Sequence, residues 1–212
     1  MMEFIKQPMA IEHHSMELIA PYLAGLSLSE AEKKVYSRII HAAGDVEYAP
    51  IIRISETAVA AGIAALRGGA DIYTDVEMVR TGINKRKLAS FGGTVYCRIA
   101  DPDIAARAKA QGVTRSLMAM RSFGAALTGS VIAIGNAPTA LFEVLRLVRE
   151  EGVRPACIVG IPVGFVGAAD SKKELAENGL VPYITVEGTK GGSPIAAAAV
   201  NAMLYEIDDS RD

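Results

Sequence analysis

Apolar residues in the first third of the chain recur at helical spacing, beginning with Ile11 to Leu23. Ser29-Glu30-Ala31-Glu32 has the residue types of a capping box, so a helix is predicted to start there and to run to a stop at Gly44. A third helix is predicted over Glu56 to Leu66, ending at Gly68-Gly69. The texture then changes to short runs rich in β-branched or aromatic residues: Asp71 to Thr74, Thr94 to Ile99, Ser130 to Ile134, Ala156 to Val159 and Tyr183 to Val186. Each is followed by a stretch with helical pattern, the signature of a parallel sheet buried on both faces. The expected fold is therefore α/β: one domain over residues 1–212, a flavodoxin-like three-layer sandwich with a five-stranded parallel sheet and an N-terminal helical segment. No linker, low-complexity tract or internal repeat interrupts that pattern.

Composition narrows the class. Half of the 212 residues are hydrophobic and 22% are charged, enough for a sizeable core and unlike disordered or fibrous chains. Gly, Pro or charge breaks every apolar stretch well before the roughly 18–20 residues of a membrane span. Glu3, Lys6, Glu12 and two histidines occupy the region where a secretory signal would be apolar, so the cytoplasm is the expected location. Twenty-two basic against 24 acidic residues argue against general nucleic-acid binding but leave a small anionic ligand open. Cys97 and Cys157 lack a CxxC arrangement and read as two reduced core thiols.

In open α/β sheets ligands bind beyond the carboxyl ends of the strands. There the chain carries Asp75-Val76-Glu77-Met78, Asp101-Pro102, Gly135-Asn136-Ala137-Pro138-Thr139, Gly160 to Gly167, and Gly188 to Ser193. Glycines permit close backbone approach, and unpaired N–H groups at the following helix starts attract anions, so such a rim suits a ligand with several carboxylates or phosphates. Each loop taken alone also has an ordinary reading: Asp75 and Asn136 as caps, Pro138 as a first-turn proline. GxxxxGK[ST] is absent and Gly160 to Gly167 lacks GxGxxG spacing, so no nucleotide motif is matched. Thr114 or Ser116 can cap a further helix, where Arg115 offers a forked donor for a carboxylate or is simply solvated. Lys85-Arg86-Lys87 reads as a solvated face.

His41 is the titratable side chain of most interest. Ala31, Val35, Ile39 and Ala42 share the apolar face of its helix, whereas His41 points with Glu30, Lys34 and Ser37. It sits in the last turn, where the helix dipole favours the imidazolium form, a direction that suits a proton donor near neutral pH. A surface histidine and a catalytic one both fit this position. His13 and His14 splay apart around a helix, no set of ligands has metal spacing, and GxSxG is missing.

Taken together, several stretches resemble the precorrin-8X methylmutases, including the cobalt-precorrin-8 methylmutases, of cobalamin biosynthesis. They are Ile11 to Ser15, Ile40 to Glu47, Asp75 to Val79, Thr114-Arg115-Ser116, Val131 to Phe142, Gly160 to Lys172 and Gly191-Gly192-Ser193 with the Ala-rich helix that follows. The resemblance covers nearly the whole chain. It implies an isomerase that moves a methyl group from C-11 to C-12 of the corrin ring, giving hydrogenobyrinic acid, or cobyrinic acid when cobalt is already present. It also implies no separate cofactor, cobalt entering only within the substrate, and a homodimer with sites near the subunit interface.

By that resemblance His41 is the functional histidine, and Ser15, Gly44, Arg115 and Ser116 meet the macrocycle or its carboxylates. Asn84 stands where Thr is expected in several relatives, a departure from the pattern, and is a further candidate for carboxylate binding. Asn136, Thr139, Gly192 and Ser193 are added from the strand-end rule. Ala43 replaces a Cys found in many relatives, so that thiol is dispensable for the chemistry or only packs. The competing reading is a non-catalytic flavodoxin-like protein that binds a corrinoid, flavin or nucleotide; it would tolerate loss of His41.

Overall fold

Two helices lead into the sheet: α1 (Pro8–Leu23) and α2 (Glu30–Ala43). The computed structural model of the protein describes residues 6–209. The capping box of α2 forms as its sequence predicts, with the Ser29 N–H donating to Glu32 Oε2 at 2.8 Å and the Glu32 N–H to Ser29 Oγ at 3.3 Å. Gly44 ends α2 with φ 62°, a left-handed conformation that costs glycine little. Val35, Tyr36, Ile39 and Ile40 form the buried seam of α2; Ala42, expected on that face, is exposed.

The sheet has six strands: β1 (Ile52–Ile54), β2 (Ile72–Thr74), β3 (Val95–Cys97), β4 (Val131–Ile134), β5 (Cys157–Gly160) and β6 (Tyr183–Val186), in the order β1-β6-β5-β4-β2-β3. The five predicted strands all exist and pair parallel. The expectation of a purely parallel, five-stranded sheet is nevertheless corrected, because β1 adds antiparallel to β6 with Ile52 opposite Val186. Three residues are too few to show a period of two, so nothing local announces this strand. What makes it a strand is the free edge of β6: flanking it, Glu187 N–H donates to Ile51 O at 2.8 Å and Ser55 N–H to Tyr183 O at 3.0 Å.

The other helices are α3 (Ala58–Arg67), α4 (Glu77–Gly82), α5 (Lys85–Ala89), α6 (Pro102–Gln111), α7 (Arg115–Phe123), α8 (Pro138–Glu150), α9 (Ala168–Glu177) and α10 (Ser193–Asp209). Alternate strand residues face opposite ways. Ile72, Val131, Ala133 and Val159 join a core with Ile39 of α2, Leu66 of α3 and Met203 of α10. Tyr73, Ile132, Ile134 and Ile158 join another with Met120 of α7, Leu145 of α8 and Leu175 of α9. With both faces covered, the open positions are at the strand ends. Among the described residues no helix is long and apolar enough to cross a membrane.

Candidate active site

Asp75 follows β2 directly and is fully buried. Its Oδ1 accepts the Gly135 N–H at 3.0 Å, and its Oδ2 accepts the N–H groups of Asn136 at 2.9 Å and Ala137 at 2.7 Å. Burial raises its carboxyl above the usual range, opposed by those three donors. Ala137 is the N-cap of α8 and has no capping side chain, so Asp75 caps this helix from the end of the neighbouring strand β2. The open, anion-attracting start expected after β4 is therefore corrected: an internal carboxylate already fills it. Asn136 keeps an exposed side chain, but its N–H is committed. Gly135 is required by close approach, since a Cβ there would lie 2.7 Å from Ser193 Cα and 2.6 Å from Val79 Cγ2.

The neighbouring loops are joined to this one. Thr114 caps α7, accepting the Leu117 N–H at 3.2 Å, and its hydroxyl lies 2.7 Å from that of Thr139 in the first turn of α8. Arg115 is exposed beside them, and among the described residues its guanidinium has no hydrogen-bond or ion-pair partner; Ser116 turns inward and is buried. Gly192 donates to Ile161 O at 3.0 Å, and Gly164 to Thr189 O at 3.1 Å, tying the loops after β5 and β6 together. Thr139, Asn136, Gly192 and Ser193 thus lie around the carboxyl ends of the strands, where the strand-end rule puts them, and Arg115 lies beside Thr114 at the same end.

His41 is exposed in the last turn of α2, and among the described residues its ring has no partner. Just past the exposed Gly44, Asp45 accepts the Lys190 ammonium at 2.6 Å, and Glu47 accepts it at 3.0 Å. The Lys190 hydrogen bond holds the Asp45 carboxyl below its ordinary range. Lys190 belongs to the loop that leads into Gly192, so this pair joins the end of the His41 helix to the strand-end rim.

Ser15 lies on α1, where its hydroxyl donates to Ile11 O at 2.8 Å. Between α1 and α2 runs a groove of about 310 Å³ lined by Glu12, Met16, Lys34, Ser37, Arg38 and Tyr205 among others. Ser37 is one turn before His41 on the stripe predicted for it. The cations of this groove all have internal partners: Arg38 with Glu12, Lys33 with Glu30 at 2.6 Å, Lys34 with Glu206 at 2.8 Å. Arg38, 5.2 Å above the Tyr205 ring, was not singled out in the sequence; its spacing of three from His41 is the signal that would have found it.

Asn84 sits apart from the rim. Its side chain caps α5 by accepting the Lys87 N–H at 3.1 Å, its own N–H donates to Asn201 Oδ1 at 2.8 Å, and its Nδ2 to the Tyr205 hydroxyl at 3.4 Å. It is tied to the middle of α10 and reaches the groove only through Tyr205. Lys87, expected to be solvated, lies 5.1 Å from the Tyr205 ring centre. His13 and His14 both pair with Glu17, at 3.1 and 3.3 Å. Among the described residues, no three His, Cys, Asp or Glu side chains could together hold a metal ion.

Comparison with known proteins brings these observations under one family. The profile of the Precorrin-8X methylmutase family matches residues 10–206. A cobalt-precorrin-8 methylmutase of Priestia megaterium is 40% identical over 95% of this chain and 89% of its own length. A precorrin-8X methylmutase of Pseudomonas aeruginosa is 42% identical over 97% of this chain and 99% of its own. The solved structure of a precorrin-8X methylmutase from Thermus thermophilus superposes with a TM-score of 0.87 at 37% identity, covering 95% of this chain and 97% of that one. The chain belongs to the precorrin-8X methylmutase family, isomerases of cobalamin biosynthesis.

Proposed function

We propose that this protein catalyses the methyl shift from C-11 to C-12 of precorrin-8X, or of its cobalt form, with His41 as the proton donor. The observation that carries this reading is the state of His41: exposed, without a partner among the described residues, and tethered through Lys190 and Asp45 to the rim. Its imidazolium donates a proton or hydrogen bond to the tetrapyrrole chromophore, which draws electron density from the ring. The methyl bond to C-11 then breaks as the bond to C-12 forms, and the proton returns from the ring to His41 as the product leaves. The step is an isomerisation and consumes no co-reactant, so no separate cofactor is invoked; cobalt, where present, arrives inside the substrate.

Arg115 supplies a forked donor for a substrate carboxylate. Ser15, Gly44, Ser116, Asn136, Thr139, Gly192 and Ser193 are read as the wall around the ring, and Asn84 as a support for α10. Substrate carboxylates can replace Glu12, Glu30 and Glu206 as partners of the groove cations. That groove, at about 310 Å³, stands at the small end for ligand sites. Ile11, Leu18 and Tyr22 are exposed along one stripe of α1, with Ser15 on it. Both features support a homodimer in which a second copy completes each site; sedentary exposure of that stripe in a monomer in solution would count against it.

Counted among themselves, the parallel strands run 2-1-3-4-5, which supports flavodoxin-like layering, and the family profile spanning 10–206 supports a single domain. Free Cys97 and Cys157 support a reducing compartment such as the cytoplasm. The deciding test is His41→Ala: turnover should fall by roughly 10² to 10⁴ while hydrogenobyrinic acid still binds with its visible absorption shift. Unchanged turnover would remove the proposal, and binding of product with no turnover by the unmutated protein would favour a corrinoid carrier.

A further inference from the structure

The stretch Gly160 to Lys172, one of those that carry the family resemblance, ends on a residue the mechanism above does not use. Lys172 projects from α9 and is only 1% exposed. Its ammonium donates to the main-chain carbonyl of Lys190, and among the described residues no carboxylate pairs with it. The two acids lining the groove beside it are engaged elsewhere, Glu187 with Arg53 at 2.9 Å and Glu177 with Lys173 at 3.9 Å. An ammonium buried without a counter-charge is costly, and an apolar side chain would fill the same space more cheaply. Burial accordingly lowers its pKa to about 8. A cost of this kind, set against the site, marks a group kept for what it holds.

What it holds is the loop of Gly188 to Gly192. Two main-chain bonds tie that loop to the one after β5, at Thr189 O and at the Gly192 N–H, and Lys172 takes the carbonyl between them. The Lys190 side chain, from the same residue, clamps Asp45 and Glu47, immediately beyond the C-cap of the His41 helix.

We propose that Lys172 is a positioning residue for the methyl shift: by holding the Lys190 carbonyl it fixes the Gly188 to Gly192 loop, and through the Lys190 side chain it fixes the His41 end of α2. This rests on the reading of His41 as the proton donor. The test compares Lys172→Met, Lys172→Arg and His41→Ala with the unmutated protein, measuring turnover of precorrin-8X by visible absorption and amide hydrogen exchange without substrate. Lys172→Met should lower kcat on the order of 10- to 100-fold with KM nearly unchanged, the scale of a displaced positioning group. Lys172→Arg, which keeps charge and donors, should recover part of that loss. Exchange should quicken in Lys172→Met both at 188–192 and at 45–49.

Normal kcat in Lys172→Met, or a change in KM alone, overturns the proposal. So does faster exchange confined to 188–192, because the loop would then be held without reaching α2. If His41→Ala keeps full turnover, the reading of His41 fails by itself, and the exchange data still decide whether Lys172 holds both segments.

Discussion

The strand-end rim and the exposed end of α2 solve opposite problems. At the inner side of the rim the polar groups are satisfied within the fold: the buried Asp75 takes three N–H groups, and Gly135 lets Ser193 approach to contact. At the end of α2 the His41 ring is exposed and, among the described residues, uncommitted, and the nearby cations are paired with acids at the groove. Fixed donors and dipoles set geometry at no cost during the reaction, whereas a proton donor must stay accessible to its acceptor. The difference implies that stability and activity separate between the two: changes at the buried groups of the rim should destabilise the protein, and changes at the end of α2 should silence it.

The largest expected effect on stability is at Asp75. Asp75→Ala leaves the buried Gly135 N–H and the part-buried Asn136 and Ala137 N–H groups without their acceptor and should cost on the order of 4 kcal/mol, read from urea unfolding. A loss below 1 kcal/mol would mean that water replaces the carboxylate and that the rim is not built from within. Gly135→Ala comes next. Its methyl would collide with Ser193 and Val79, costing about 2 kcal/mol, with the expansion visible as faster exchange at the start of α10.

Lys172→Met sharpens the comparison because its sign is opposite. The Lys172 pKa is lowered from 10.5 to about 8, so below pH 8 the residue is charged in both folded and unfolded chains and the folded state bears the burial cost. That cost is relieved as pH rises from about 8 to 10.5, and it corresponds to about 3 kcal/mol at neutral pH. Allowing for the lost bond to Lys190 O, Lys172→Met should gain about 1–2 kcal/mol at pH 7. The gain should vanish above pH 10.5, and a gain independent of pH would assign it to packing instead.

Arg115→Ala should have the smallest effect on stability, within about 0.5 kcal/mol, because nothing in the fold depends on its guanidinium. Its affinity for hydrogenobyrinic acid should still fall on the order of tenfold or more, as expected for a lost charge-assisted bond. Equal affinity would leave the rim without its carboxylate donor.

Features made by neighbouring residues were legible in the sequence. The capping box at Ser29, the stop at Gly44, the outward face of His41 and the five parallel strands follow from spacings of a few residues, where propensity and burial period act directly. Thr114 was readable as a cap for the same reason. The surroundings of Asn84 were not legible, because its partners, Asn201 and Tyr205, lie more than a hundred residues away.

The tertiary structure alone decided the rest. It made β1 a strand, since only the edge of β6 offers Ile52–Ile54 a ladder to join. It turned Asp75 from an apparent local cap into the cap of a helix some 60 residues on, closing an anion site that the loop sequence suggested was open. It brought Lys190 to Asp45 across 145 residues and buried Lys172 behind it. A sequence read locally determines where the chain coils, turns and hides its apolar side, because those preferences act over a few residues. Which polar group satisfies which is settled only when the sheet closes, because a buried donor takes whatever acceptor the fold places beside it.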